Sequence, residues 1–209
     1  MTAGDPPLFK HLLFSIFVLS PGSALASMVV DFDTAQTLQP RHVELGGQLA
    51  AGDSIWATGA KGRLGIISGI DANIGLAGIL VDDNVGFELG FGGRYQLMTA
   101  AQTSGIIDVA TAVDFAIDMA GPLLSVSSDV KGIVSRSFRY RGKRDITLAA
   151  NTGIALTMVS IDEAANDGQL GFLIGGTIAL DLSTSMTVAF DVAYRDSIKR
   201  VGIGLAQFF

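Results

Sequence analysis

Three segments at the end of the chain alternate between large apolar residues and small or polar ones. In residues 169–182, leucine, isoleucine or phenylalanine recurs at every second position except Gly176, with mostly glycine, threonine, alanine and aspartate between them. The same alternation returns in residues 186–195 and 200–206, after breaks at 183–185 and 196–197. Successive side chains of an extended strand point to opposite faces, so a period of two predicts strands. This region therefore predicts a sheet with one continuously apolar face and one face of small residues and occasional charges.

The alternation extends upstream to Arg41, in segments of about ten residues divided by turn residues. Strands of this kind are the sequence signature of a transmembrane β-barrel. The composition agrees, because 49% of residues are hydrophobic and only 16% are charged, against about 25% charged in typical soluble domains. Beyond the N-terminal region no stretch approaches the roughly 18 consecutive apolar residues of a membrane helix. High hydrophobicity without a helical span indicates a barrel, in which only alternate residues meet lipid.

The last ten residues carry a more specific pattern. Val201, Ile203 and Leu205 alternate with small or polar residues, and the chain stops at Phe209. This segment resembles the C-terminal strand of bacterial outer membrane β-barrel proteins, although Gln207 stands where that family usually has an apolar or aromatic residue. The resemblance implies that this strand closes the barrel and that Val201, Ile203, Leu205 and Phe209 are read by the barrel-assembly machinery.

The fold expected is all-β: an antiparallel up-and-down transmembrane β-barrel of about ten strands, with eight as the alternative. An even strand number keeps both termini at one end. The turns at 69–71 and 183–185 are then expected at that periplasmic end, and longer loops at 51–60 and 161–168 on the outer side. Residues 123–138 break parity at Ile133-Val134, which predicts a β-bulge there.

The N-terminus reads as a secretory signal peptide over residues 1–26. Lys10 precedes the apolar run 12–19, and Ala24-Leu25-Ala26 fits the small-x-small cleavage pattern. Residues 27–40 show no period and are expected to lead into the barrel, which occupies residues 41–209. The expected localisation is the outer membrane after export.

The charged residues within the strand patterns fall on the face predicted to line the lumen. Charges in a narrow interior must be paired or hydrated, so they predict a network of ion pairs and hydrogen bonds. The alternative is a polar channel that selects solutes by charge. A barrel of eight to ten strands has an interior roughly filled by side chains, which favours the network. The inward residues are Glu44, Arg63, Glu88, Arg94, Asp108, Asp114, Asp118, Asp129, Lys131, Asp181, Asp191, Arg195 and Arg200.

Little in the sequence points to catalysis or to a bound metal. There are no cysteines, which excludes disulfides and thiol chemistry. His42 is the one histidine after the signal peptide and has no recognisable partner motif. The acidic stretches 82–84 and 162–167 lack the ligand spacing of a calcium loop. A net charge of −6 argues against nucleic acid as a partner. No cofactor is expected.

The sequence thus predicts an integral outer membrane β-barrel with a largely filled polar lumen, which anchors or is weakly permeable to solutes. Its expected partners are outer membrane lipid and the barrel-assembly machinery. A soluble periplasmic or secreted barrel that binds an apolar ligand is the second hypothesis, because it too needs one apolar face. A lipid-modifying outer membrane enzyme is the third. The many Gly, Ala and Ser residues on the other face favour the first, since a soluble barrel needs more charged and amide side chains facing water.

Overall fold

Ten antiparallel strands make up most of the chain that the structure describes. The computed structural model describes residues 34–52, 55–81, 84–121, 123–140, 144–161, 164–195 and 198–209. The predicted signal peptide and most of residues 27–40 lie outside the described residues. The strands are β1 (Val43–Gly52), β2 (Ile55–Ile67), β3 (Ile70–Val81), β4 (Asn84–Met98), β5 (Asp108–Ala120), β6 (Leu123–Tyr140), β7 (Arg144–Ile161), β8 (Ala164–Ser183), β9 (Met186–Arg195) and β10 (Ile198–Phe208).

Each strand pairs with its neighbours in sequence, and β1 pairs with β10 to close the barrel. Glu44 lies opposite Phe208 and Gly52 opposite Arg200 in this closing ladder. Just beyond it, Val43 and Phe209 exchange two backbone hydrogen bonds of 3.1 and 2.8 Å. The closed up-and-down barrel of ten strands is therefore confirmed, and the alternative of eight strands is wrong.

The two faces of the wall follow the alternation in the sequence. On the strands whose side chains are described, most large apolar side chains point outward and are exposed, whereas most charged side chains point into the lumen. Buried exceptions on the lumen side include Ile55, Ile79, Val81, Ile133, Val159 and Leu173. Phe91 and Phe115 stack on the outer surface, with their ring centroids 5.4 Å apart. In the part of the chain that the structure describes, no helix is long and apolar enough to cross a membrane.

The connections differ from the expected ones. Strand β1 continues to Gly52 and β2 begins at Ile55, so most of the predicted loop 51–60 is strand. Trp56 lies within β2, opposite Ala51 and Leu80. The prediction was wrong because the small residues of this stretch were taken as loop composition. Position 59 requires glycine because a Cβ there would lie 2.5 Å from the Leu76 carbonyl oxygen and clash with the β3 backbone.

The predicted acidic loop 161–168 is also mostly strand. Strand β7 ends at Ile161 and β8 begins at Ala164, and Asp167 pairs with Val159 in the ladder. Two residues separate consecutive strands at every connection on the end away from the termini. The longest connection, residues 99–107, lies instead at the end that carries the termini. The expectation of longer loops opposite the termini is therefore wrong, whereas the turns near 69 and 184 do lie at the terminal end.

The predicted bulge at Ile133-Val134 does not form. Strand β6 pairs with both neighbours in unbroken register through this stretch. Ile133 points inward and is fully buried, and Val134 points outward. The apolar pattern changes parity in the sequence only because an isoleucine occupies a lumen position. It packs there with Ala35, Ala110 and Ala112.

Candidate functional site: the barrel lumen

The inner face of the barrel carries charged residues from distant parts of the chain. Each predicted lumen residue lies at an inward-facing position, but the residues come together in several separate groups rather than in one site. The buried ones are Glu44, Arg63, Glu88, Arg94, Asp108, Asp118, Asp129, Lys131, Asp191 and Arg195, whereas Asp114, Asp181 and Arg200 are partly buried.

Arg63 joins two carboxylates near the end of the barrel that carries the termini. Its guanidinium nitrogens lie 3.0 Å from Glu44 Oε2 and 2.7 Å from Asp71 Oδ2. All three side chains are nearly inaccessible to solvent. The planar guanidinium can donate to two carboxylates at once, which a lysine ammonium does with less geometric precision. This triad therefore links β1, β2 and β3 across the lumen wall.

A second group connects the middle strands. Lys131 Nζ lies 2.9 Å from Asp114 Oδ2, and Asn73 donates to the other oxygen of Asp114 at 3.2 Å. Gly92 lies opposite Asp114 on the neighbouring strand. A Cβ at Gly92 would clash with the Asp114 carboxylate, so glycine leaves room for this pair.

Two further ion pairs lie toward the C-terminal strands. Arg195 pairs with Asp129 at 3.0 Å and also donates to Thr157 Oγ1 at 3.0 Å. Arg200 pairs with Asp191 at 2.9 Å. Buried charges are tolerated when they are paired and hydrogen-bonded in this way. The lumen chemistry is thus electrostatic cross-linking between strands.

Sequence reasoning missed two buried members of this interior. Lys61 and Asp71 both face inward and are at most 6% exposed. Asp71 belongs to the predicted turn at 69–71, and Lys61 directly follows the predicted loop at 51–60. Lys61 has the same parity as Arg63, so extending the strand pattern two residues upstream would have found it.

An apolar layer fills part of the lumen toward the end away from the termini. Ile55, Ile79 and Val81 point inward and are buried. They belong to one cluster with inward-facing alanines of β1, β2, β5, β8, β9 and β10.

The opposite end is occupied by the chain that precedes β1. Residues 34–39, which we name the strap, lie inside the mouth of the barrel against β2 to β6. Ala35 is completely buried, and the strap makes hydrogen bonds with lumen side chains. Between the strap and the wall formed by β7 to β10 remains a cavity of about 430 Å³. Its lining includes Glu44, Asp181 and Phe208.

The residues of the closing strand β10 that are predicted to be read by the assembly machinery point outward. Val201, Ile203, Leu205 and Phe209 are exposed on the outer surface. Gln207 shares their face. All of these side chains therefore belong to the outer surface of the barrel.

The described residues hold little of what a catalytic or metal site requires. His42 is exposed and its Nδ1 lies 3.3 Å from the Pro40 carbonyl oxygen. Within the described ranges, no group of three or more His, Cys, Asp or Glu side chains is arranged to hold a metal ion.

Comparison with known proteins finds similarity in architecture only. No protein-family model and no curated protein sequence matches the chain. Among solved structures, the N-terminal β-barrel domain of Pseudomonas aeruginosa OprF matches with a TM-score of 0.41 and 9% identity, over 82% of this chain and 100% of that one. The KdgM porin matches with a TM-score of 0.40 and 8% identity, over 78% and 98%. The Acinetobacter baumannii outer membrane protein Omp33 matches with a TM-score of 0.37 and 13% identity, over 81% and 98%.

Proposed function

We propose that this protein is an integral outer membrane β-barrel with a largely filled lumen, which acts as a structural or anchoring element. One observation carries the proposal: a closed wall whose outer face is covered by large apolar side chains. Leu49, Ile74, Phe172 and Val192 are each between 58% and 78% exposed, and they lie on four different strands. Burial of such a surface in hydrocarbon is strongly favourable, and in water it would drive aggregation.

The alternative of a soluble barrel is disfavoured by the direction of the side chains. A soluble barrel that binds an apolar ligand would turn its apolar face inward. Here the inward face carries ion pairs such as Arg195–Asp129, and the apolar face is outside. The backbone geometry is also suited to a membrane, because a closed barrel leaves no strand edge unpaired.

The proposed filled interior fits anchoring or weak permeation better than free diffusion of solutes. In this proposal the apolar layer around Ile55 and Ile79 narrows the lumen toward one end, the strap covers part of the other end, and the ion pairs occupy space between them. A cavity of about 430 Å³ lies at the mouth. We expect purified protein in planar bilayers to show small or rare conductance steps.

A catalytic role has less support. Barrel enzymes that modify lipid usually use a histidine with a serine or a carboxylate, and His42 contacts a backbone carbonyl instead. Two partners fit the proposed function: outer membrane lipid around the apolar outer face, and the barrel-assembly machinery at β10. Export through a signal peptide over residues 1–26 belongs to the same proposal.

Heat-modifiable gel migration of a detergent-extracted outer membrane fraction tests the assignment. The protein should fractionate with the outer membrane, and unboiled samples should migrate faster than boiled ones because the closed barrel resists the detergent. Recovery of a soluble protein without detergent would overturn the assignment and make a soluble barrel the leading hypothesis.

A further inference from the structure

The strap is bound mainly through its backbone. Arg94 donates to the carbonyl oxygen of Thr34, and Arg63 donates to that of Gln36 at 3.3 Å. The backbone N–H of Ala35 donates to Ser135 Oγ at 3.0 Å. Cationic side chains thus meet carbonyl oxygens, and acceptors meet N–H groups, as in the recognition of an extended peptide.

Carboxylates complete this recognition. The N–H of Leu38 donates to Asp71 Oδ2 at 3.2 Å, and the Gln36 side chain donates to Asp108 Oδ2 at 3.2 Å. Thr37 donates from its hydroxyl to Gln96 Oε1 at 2.9 Å. The lumen residues that hold the strap come from five successive strands, β2 to β6, and they contact its backbone and polar side chains along its length.

Apolar burial contributes little to the bound strap. Among residues 34–39 only Ala35 is fully buried, in contact with a cluster of Ala110, Ala112 and Ile133. The hydrogen bonds exchange with water at a small net gain each, and one methyl group buries little apolar area. A segment held this way can leave the mouth without unfolding the barrel, because its contacts are separate from the strand ladders.

We propose that residues 34–39 are a releasable plug, and that the mouth of the lumen is a binding surface for an extended peptide that this segment occupies. The plug closes the cavity between the strap and the β7 to β10 wall, and its departure opens a vestibule lined by Glu44, Arg63 and Asp181. This inference depends on the barrel and the strap contacts alone, so it can fail while the membrane assignment stands, and the reverse.

Cysteine accessibility in detergent tests the proposal, because the natural chain contains no cysteine. Three isosteric variants report on three places. Ser135→Cys lies under the strap and is 2% exposed; Ser125→Cys lies in the lumen, is fully buried and reports on unfolding. Ser68→Cys lies in the exposed β2–β3 turn and is the freely accessible reference. Each is labelled with a water-soluble, charged maleimide.

The strap is then destabilised by Ala35→Glu, which forces a charge into a fully buried position. Gln39→Glu adds the same charge at an exposed position of the strap and is the matched control. Labelling of Ser135→Cys should be slow but measurable in the otherwise natural chain. It should be at least tenfold faster with Ala35→Glu and unchanged with Gln39→Glu. A free peptide of sequence Thr-Ala-Gln-Thr-Leu-Gln should slow the accelerated reaction again.

Three outcomes would overturn the proposal. Equal labelling with Ala35→Glu and Gln39→Glu would mean that the strap does not cover Ser135. Acceleration of Ser125→Cys by the same factor would mean that the strap unfolds only with the whole barrel. Complete protection of Ser135→Cys in the otherwise natural chain would mean that the plug is permanent.

Discussion

Arg63 illustrates what a single residue does inside this barrel. Its one charge neutralises parts of two carboxylates, Glu44 and Asp71, and it also holds the strap carbonyl of Gln36. Removing it leaves two buried anions without their cation. Loss of one partner from a buried ion pair is far more costly than loss of an exposed pair.

We therefore expect Arg63→Ala to destabilise the folded barrel by about 3–5 kcal/mol. The measurement is urea-induced unfolding in detergent, followed by the difference in gel migration between folded and unfolded protein. The matched control is Arg139→Ala, because Arg139 pairs with Asp145 at 3.2 Å but its side chain is 72% exposed. That variant should lose at most about 1 kcal/mol. Equal losses in the two variants would contradict the structural role of the buried triad.

At the scale of elements, the strap and β2 approach each other at one glycine. A Cβ at Gly65 would clash with the carbonyl oxygen of Gln39. This last residue of the strap stays close to β2 even if the rest of the strap is released, because His42 donates to its carbonyl and Gly65 exchanges backbone hydrogen bonds with Arg41 and His42. We expect Gly65→Ala to destabilise the barrel by about 1–3 kcal/mol, the usual cost of overpacking. The control is Gly47→Ala, where the nearest atom to an added Cβ is 4.0 Å away and the expected change is within about 0.5 kcal/mol. Calorimetry or urea unfolding distinguishes the two, and equal effects would argue against this close contact.

The closing strand supports a prediction about assembly. Phe209 contacts Val43 through its backbone N–H and C=O, both of which alanine retains. Phe209→Ala should therefore refold from urea into detergent as well as the natural chain does. If the exposed ring is read by the assembly machinery, the same variant should reach the outer membrane several-fold less efficiently in cells. Tyr194→Ala, which removes an exposed aromatic ring from β9, is the control. Normal assembly of Phe209→Ala would remove the proposed role of the terminal residue.

The sequence predicted the elements that alternate strictly and missed those that depend on partners distant in the chain. Segments such as 85–97 and 186–195 revealed their faces because lipid-side and lumen-side residues differ in size. The stretch 51–60 did not, because Ala and Gly occupy both faces where neighbouring strands come close. Ile133 was misinterpreted as the site of a bulge. It faces inward because it packs against Ala35, which lies almost a hundred positions away in the sequence. The strap itself carries no period, so its place in the lumen follows only from side chains on five other strands.

At the scale of the whole molecule, large apolar side chains cover the outer face of the barrel. The only tryptophan of the sequence, Trp56, lies on this face in β2 and is 65% exposed. We expect its fluorescence to be quenched by lipids brominated on their acyl chains once the barrel is reconstituted in vesicles. Water-soluble iodide should quench it weakly, because hydrocarbon or headgroups then surround the indole. The variant Trp56→Phe should lose the signal and keep the heat-modifiable migration. Strong iodide quenching without bromine quenching would contradict burial of this face in a membrane.

The short connections at the end away from the termini have a consequence for whatever meets that surface. A protease needs several residues of extended chain in its active site, and an antibody needs surface that stands clear of its surroundings. The two residues between strands at this end are too few for a protease, although residues 164–172 of β8 pair with β7 alone and extend past the end of β9. The longest connection, 99–107, is at the other end. The orientation of the barrel therefore decides whether a protease outside the cell meets the 99–107 connection or only two-residue connections.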